Sequence, residues 1–161
     1  MKKMFSETGR WYKGNLHSHT TNSDGKLKPE EAVALYKKYG YHFLCLSEHD
    51  HFTDLSAQFD SPEFIILPGL EASAYLFNKE KTGVLKTHIH GILGNEAMQQ
   101  AAGDQIFHHG ERLEPMVFTE EWDGLAVAQK LSDTLRAKGC FTTYNHPNWS
   151  RVEMEDVVGL K

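Results

Sequence analysis

The chain has only two cysteines and no long apolar run among its 161 residues. Cys45 and Cys140 both fall in apolar stretches typical of strands, so we expect buried, reduced thiols rather than a disulfide. No apolar run has the length that a membrane-spanning helix needs, and residues 1–10 are polar, without an apolar signal region. These absences predict a cytoplasmic protein with no membrane partner.

Positive charge is also scarce. Seventeen Lys and Arg residues stand against 22 Asp and Glu residues, which gives a formal net charge of −5. Binding to a nucleic-acid backbone needs clustered Lys and Arg, so this composition argues against nucleic acid as a partner. A small phosphorylated substrate stays compatible with this charge, because bound metal ions would reverse the local sign.

Histidine, by contrast, is abundant, with ten residues. Five short segments each finish a predicted strand with residues of metal-ligand type. The segments are Asn15-Leu16-His17-Ser18-His19, Ser47-Glu48-His49-Asp50-His51, Pro68-Gly69-Leu70-Glu71, Thr87-His88-Ile89-His90 and Asn145-His146-Pro147. Their recurrence predicts a metal site with several ions at the mouth of a barrel.

The order of elements predicts the fold class. Apolar runs such as Phe43–Leu46 and Phe64–Leu67 fit parallel strands covered on both faces. Helices are predicted over Pro29–Tyr39 and Thr119–Lys138, each closed by a glycine. About five strands result, the others being Gly14–His19, Leu85–Leu93 and Cys140–Tyr144, and residues 151–161 are expected to start another helix. The expectation is an α/β fold with a mainly parallel sheet and ligands at the carboxyl ends of its strands.

His17 and His19 lie two apart on a strand, so their side chains share a face and one metal can accept both. The alternative is a pair of surface histidines. In the next segment His49 is the favoured ligand, with Glu48 or Asp50 orienting an imidazole. His51 is expected to line the pocket or the surface.

Glu71 follows a strongly apolar run, and a buried carboxylate there needs a cation or hydrogen-bond partners. It is predicted to bridge two metals, the alternative being a salt bridge within the barrel. His88 and His90 share a strand face, and we favour His88 as the ligand with His90 lining the pocket. His146 is predicted to be a ligand held by the turn at Pro147.

Taken in this order, the motifs resemble the polymerase and histidinol phosphatase (PHP) superfamily. The matching residues are Leu16-His17-Ser18-His19-Thr20 with Ser23-Asp24-Gly25, then Ser47-Glu48-His49-Asp50, Pro68-Gly69-Leu70-Glu71, the His88 strand and Asn145-His146-Pro147. The resemblance spans nearly the whole chain. It implies a distorted seven-stranded, TIM-like (β/α)7 barrel with a trinuclear metal site that hydrolyses phosphoesters.

The resemblance also implies ligand roles. His17 and His19 would bind one metal, and Glu71 would bridge it to a second. His88 and His146 would complete the second metal, while Asp24 and His49 would hold a third. Asp24 stands where many relatives have histidine, and Glu48 stands where aspartate is commoner. Glu71, His49 and Asp24 are the residues expected to act in catalysis.

The family's last motifs, a late carboxylate and a final Asp-x-His, are missing from the 161 residues. Residues 1–161 are therefore interpreted as a single, incomplete PHP domain, the N-terminal portion of the barrel without its C-terminal strands. It would be either a fragment or a truncated relative. An unclosed sheet edge would then favour self-association.

The implied reaction is hydrolysis of a small phosphomonoester by a metal-activated hydroxide, with two to three Zn, Mn or Fe ions. A metal-dependent hydrolase acting on another bond is one alternative. A non-catalytic module, whose metal serves folding or partner binding, is another. A substrate panel and the metal stoichiometry would separate these alternatives.

Overall fold

The computed structural model describes residues 8–77, 82–119, 124–150 and 157–160. Its elements run in the order β1 (Gly14–Asn15), α1 (Pro29–Lys38), β2 (Phe43–Cys45), α2 (Ser56–Phe59), β3 (Ile65–Leu67), β4 (Gly69–Phe77), β5 (Val84–Leu93), α3 (Glu96–Ala102), a 3₁₀ turn (Gly103–Gln105), β6 (Met116–Thr119), α4 (Gly124–Ala137) and β7 (Cys140–Tyr144). The protein is a mixed α/β structure.

Two sheets carry these strands. One has the order β1-β2-β3 and the other β6-β4-β5-β7. The strands β2 and β3 pair at a constant offset, for example Phe43 with Ile65, and the isolated bridge between His49 and Glu71 keeps that same offset of 22 residues. Strands β3 and β4 therefore behave as one long strand, interrupted at Pro68, that joins the two sheets.

The expectation of a mainly parallel sheet needs one correction, because β5 is antiparallel to both β4 and β7. Only residues 78–83 separate β4 from β5, whereas a parallel crossover needs roughly a dozen residues or more. The other described strands share one direction. Together, the described strands do not close into a barrel.

The helix α1 forms as predicted. Pro29 occupies its first turn, the Glu31 carboxylate accepts from the Lys28 N–H at 2.9 Å, and Gly40 follows the helix with φ 71°. The predicted long helix from Thr119 is shorter. Thr119 belongs to β6, residues 120–123 lie outside the described residues, and α4 is described over Gly124–Ala137. Of the helix expected over 151–161, residues 151–156 and 161 lie outside the described residues, and 157–160 are not helical.

Apolar side chains form two buried clusters that fix the sheet against its helices. Val33 of α1 packs with Leu44, Leu46 and Ile66. Leu131 of α4 belongs to the larger cluster over β4, β5 and β7. The two clusters hold the strands in fixed positions relative to one another. The polar residues that follow β1, β2 and β7 therefore lie close together around Glu71 of β4.

Candidate metal centre

Glu71 lies at the centre of this meeting place, and it is fully buried. The sequence predicts that Glu71 ends a strand, but in the structure it is the third residue of β4. Its backbone is held on the side of β2, since its N–H donates to Glu48 O at 3.0 Å and its carbonyl accepts from Asp50 N at 2.8 Å. The carboxylate is therefore fixed by strand pairing.

Imidazole nitrogens surround both oxygens of this carboxylate. Around Oε1 lie His146 Nε2 at 2.8 Å, His88 Nδ1 at 3.3 Å and His17 Nε2 at 3.6 Å. Around Oε2 lie His19 Nε2 at 3.2 Å and His49 Nδ1 at 3.3 Å. The structure thus brings together six of the seven predicted metal ligands within one cluster.

The cluster divides into two groups that share Glu71. His17 and His146 form one group with it, and His19 and His49 form the other. The expected pairing put His17 with His19, and their Nε2 atoms do lie 3.3 Å apart. One carboxylate reaching two sets of imidazoles is the arrangement that a bridging ligand requires.

The donor atoms fit transition-metal ions. Bonds from such ions to nitrogen or oxygen are about 2.0–2.2 Å long, so two donors of one ion lie roughly 3–3.5 Å apart. The separations around Glu71 are close to that range. In addition, Glu71 Oε2 and His88 Nδ1 are buried without a hydrogen-bond partner among the described residues. Cations on the two sides of Glu71 would satisfy both atoms, since His88 Nδ1 faces Oε1 while Oε2 faces His19 and His49.

The local electrostatics suit ligation, which needs an ionised carboxylate and neutral imidazoles. Burial alone would raise the pKa of Glu71, but His19, His88 and Asn145 lower it below its usual range. Burial and the neighbouring histidines lower the pKa of His17. His19 is the exception, because its burial is outweighed by Glu71 and Asp24, which raise its pKa, so metal binding there must displace a proton.

Asp24 occupies the outer rim of the cluster, with its side chain 68% exposed. Its carboxylate lies 3.8 Å from His19 Nδ1 and 3.6 Å from His49 Nε2. The second nitrogen of His49 therefore points outward to Asp24 while the first points inward to Glu71. Asp24 and His49 thus lie side by side, as the expectation of a third ion between them requires.

Polar neighbours orient the imidazoles. Ser47 Oγ lies 3.0 Å from His17 Nδ1 and accepts from Ser18 N at 3.2 Å. Asn15 Oδ1 accepts from the His17 N–H at 3.2 Å. Contacts of this kind fix the tautomer and direction of a ligand.

Glu48 is buried and holds the loop that carries His19 and Asp24. It accepts from Thr20 N at 3.1 Å and from Ser23 Oγ at 2.5 Å. Ser23 Oγ in turn lies 3.5 Å from His19 Nδ1. Of the two acids considered for orienting an imidazole, Glu48 acts through Ser23, whereas Asp50 accepts from Ser73.

Among the remaining histidines, His90 is buried below the cluster. Its Nε2 lies 3.4 Å from Cys45 Sγ, and burial lowers its pKa to about 4. His88 Nδ1, by contrast, lies 3.3 Å from Glu71 Oε1, so the geometry favours His88 over His90 as the ligand. His51 pairs with Arg112 in an isolated bridge outside the cluster.

Comparison of the chain with protein-family models and with curated proteins finds no match. The geometry of the site is therefore what bears on function. None of the described helices combines the length and the apolar character needed to cross a membrane.

Two contributors were missed from the sequence. Asn145 donates from Nδ2 to Glu71 Oε1 at 2.8 Å and lies 3.3 Å from His17 Nδ1. Trp149 lies against the ring of His146, with centroids 5.3 Å apart. Asn145 belongs to the segment Asn145-His146-Pro147 and directly precedes the predicted ligand His146, so its position in the sequence could have indicated its role. Trp149 follows no periodic pattern, so nothing in the sequence marked it.

Proposed function

We propose that this protein is a metal-dependent phosphoesterase of the PHP superfamily that hydrolyses a small phosphomonoester. The observation that carries the proposal is the position of Glu71, whose two carboxylate oxygens face separate sets of histidines. A buried carboxylate shared in this way suits a site with two neighbouring cations. Adjacent cations are the usual device for clamping the oxygens of a phosphoryl group.

In this proposal, His17 and His146 would hold one cation with Glu71 Oε1, and His88 lies close enough to join them. His19 and His49 would hold the second with Oε2. When bound, Zn, Mn or Fe ions would neutralise phosphate oxygens and lower the pKa of a water molecule. Asp24 and His49 would hold a third ion at the rim.

A side-chain nucleophile is not needed, and the thiols are unsuited to that role. Cys45 and Cys140 are fully buried. Burial raises the pKa of Cys140 to about 12 and raises that of Cys45 as well. Both thiols therefore stay protonated and out of reach of a substrate. Water is the nucleophile that fits the site.

The arrangement of strands supports the proposed family. Ligands follow β1, β2 and β7, which share one direction, as the carboxyl-end rule for α/β barrels requires. We propose that these strands are part of a distorted seven-stranded barrel. In that fold the solvent-facing ends of His17 and His146 would border the substrate.

The decisive experiment measures metal content and hydrolysis together. Protein purified without chelator is assayed for Zn, Mn and Fe, and then for turnover of p-nitrophenyl phosphate beside p-nitrophenyl acetate and p-nitroanilide substrates. We expect at least two metals per chain and hydrolysis of the phosphate ester. The Glu71→Gln variant should lose both the metals and the hydrolysis. The Glu63→Gln variant, changed at an exposed position, should keep both. Protein that takes up metal but cleaves only the carboxylic ester or the anilide would overturn the phosphoesterase proposal.

A further inference from the structure

Trp149 is an exposed aromatic residue placed directly against the metal cluster. Its ring centroid lies 5.3 Å from that of His146, nearly perpendicular to it at 77°. It lies 6.1 Å from the ring of His88, tilted by 34°. Yet 67% of Trp149 is open to solvent. The indole therefore touches two candidate ligands and still leaves a large apolar surface free.

The turn that presents Trp149 is tightly held. The Ser150 N–H donates to the carbonyl of His146 at 3.1 Å, and the side chain of Ser150 is buried. His146 adopts φ 26°, a backbone conformation that is costly for a residue other than glycine. Such strain persists only where the surroundings enforce it. The direction of Trp149 is thus set by the same turn that presents His146 to Glu71.

Isolated exposed hydrophobic residues are common on protein surfaces. Trp11 is an example, since it is 79% exposed and precedes β1, at the opposite end of that strand from His17. Trp149 differs because it adjoins the imidazole of His146, a candidate ligand whose side chain is itself 31% exposed. A group attached to a phosphate at the cluster would lie over or beside the indole.

We propose that Trp149 is a stacking platform for a planar aromatic leaving group, so that the preferred substrates are aryl or heteroaromatic phosphoesters. This inference rests on the proposed phosphoesterase function. Indole faces bind flat rings through dispersion and quadrupole interactions, and they do so without a fixed hydrogen-bond pattern. Trp149 would then favour aromatic over aliphatic esters while leaving the reacting phosphate untouched.

The test uses non-hydrolysable probes, so that binding is measured apart from turnover. Calorimetry on the manganese-loaded protein compares benzylphosphonate with methylphosphonate. The variants are Trp149→Ala, Trp149→Phe and, as a matched control, Trp11→Ala. One stacked ring contributes enough that Trp149→Ala should weaken benzylphosphonate binding about ten- to hundredfold. Binding of methylphosphonate should change by less than about twofold on the same scale.

Trp149→Phe should retain most of the aromatic preference, and Trp11→Ala all of it. Equal losses for both phosphonates in Trp149→Ala would mean that the residue only supports His146, which would overturn the platform. An unchanged preference for benzylphosphonate in Trp149→Ala would overturn it as well.

Turnover of phenyl phosphate and glycerol phosphate by the parent protein then separates the phosphoesterase proposal from the proposed aromatic preference. Hydrolysis of both esters at similar efficiency would keep the phosphoesterase and remove the aromatic preference. Failure to bind either phosphonate or to cleave either ester would remove both.

Discussion

Asn145 donates a hydrogen bond from Nδ2 to Glu71 Oε1 at 2.8 Å across 74 residues of sequence. The same amide lies 3.3 Å from His17 Nδ1, which is 128 residues away. One side chain after β7 therefore touches the carboxylate of β4 and an imidazole after β1. The centre exists only when these three strands are assembled, so its integrity reports on the fold.

We expect Asn145→Ala to weaken metal binding about ten- to hundredfold, as is usual when a residue that orients a ligand is removed. The reason is that Glu71 Oε1 loses its one amide donor and His17 loses a neighbour. Competition with a chelator measures the affinity. Asn148→Ala, at an exposed position three residues further along the chain, is the control and should bind metal normally. Equal affinities for the two variants would contradict the orienting role.

Glu71→Gln should reduce turnover of p-nitrophenyl phosphate more than Asp24→Asn. Glu71 is buried and faces both groups of histidines, whereas Asp24 is mostly exposed and approaches only the outer position. We expect a loss of at least about a thousandfold for Glu71→Gln, since a metal ligand contributes several kcal/mol of charge stabilisation. For Asp24→Asn we expect a loss of roughly ten- to hundredfold. Equal losses, or the reverse order, would remove the bridging role.

Added Zn²⁺ or Mn²⁺ should raise the melting temperature, because an ion held by the assembled cluster would bind the folded chain more tightly than the unfolded one. A metal at a hundred times its dissociation constant adds about 2.7 kcal/mol, which raises the melting temperature by several degrees in a domain of this size. Calorimetric scans with and without chelator measure the shift. Glu71→Gln should abolish most of it. A shift that survives in Glu71→Gln would place the stabilising ion elsewhere.

The sequence predicts those parts of the site that depend only on which residues share a strand face or follow a strand. His17 and His19 share a strand face, and His146 follows an apolar run, so their convergence with Glu71 follows from the rule on carboxyl ends. The grouping of His17 with His146 was not predictable, because it depends on how the sheet curves. The strand β6 is only four residues long and was missed. The antiparallel direction of β5 was not predicted either, because the residues of a strand do not themselves show whether it pairs parallel or antiparallel.

Acid should weaken the protein through the pair of Glu111 and Lys138. Burial alone would raise the pKa of Glu111, but the hydrogen bond and charge of Lys138 lower it, helped by the backbone N–H of His108. A carboxyl group whose pKa is lower in the folded than in the unfolded chain stabilises the fold at pH values above its pKa in the unfolded chain. That stabilisation is lost as the pH falls through its pKa in the folded chain.

We therefore expect Glu111→Gln to lower the free energy of unfolding by up to about 1 kcal/mol at pH 7, as for other partly exposed pairs. The difference from the parent protein should shrink as the pH falls below the ordinary pKa of glutamate and vanish below the lowered pKa of Glu111. Urea titrations across pH measure it. Asp133→Asn, which removes a carboxylate 4.0 Å from Arg136 in an exposed pair, is the control and should change stability less. A difference that stays constant down to pH 3 would exclude the ionised pair as its cause.

Self-association should arise at the edge strand β7. In the described residues β7 pairs only with β5, and Phe141 on it is 56% exposed. An edge strand with an exposed aromatic residue offers both unpaired backbone groups and apolar surface to a second chain. We expect light scattering to show oligomers that grow with protein concentration. Phe141→Lys should reduce them, because a charged lysine on an edge strand opposes pairing. Leu35→Lys, which adds the same charge to α1 at a comparably exposed site, should not. A parent protein that stays monomeric over the whole concentration range would show that this edge is already protected.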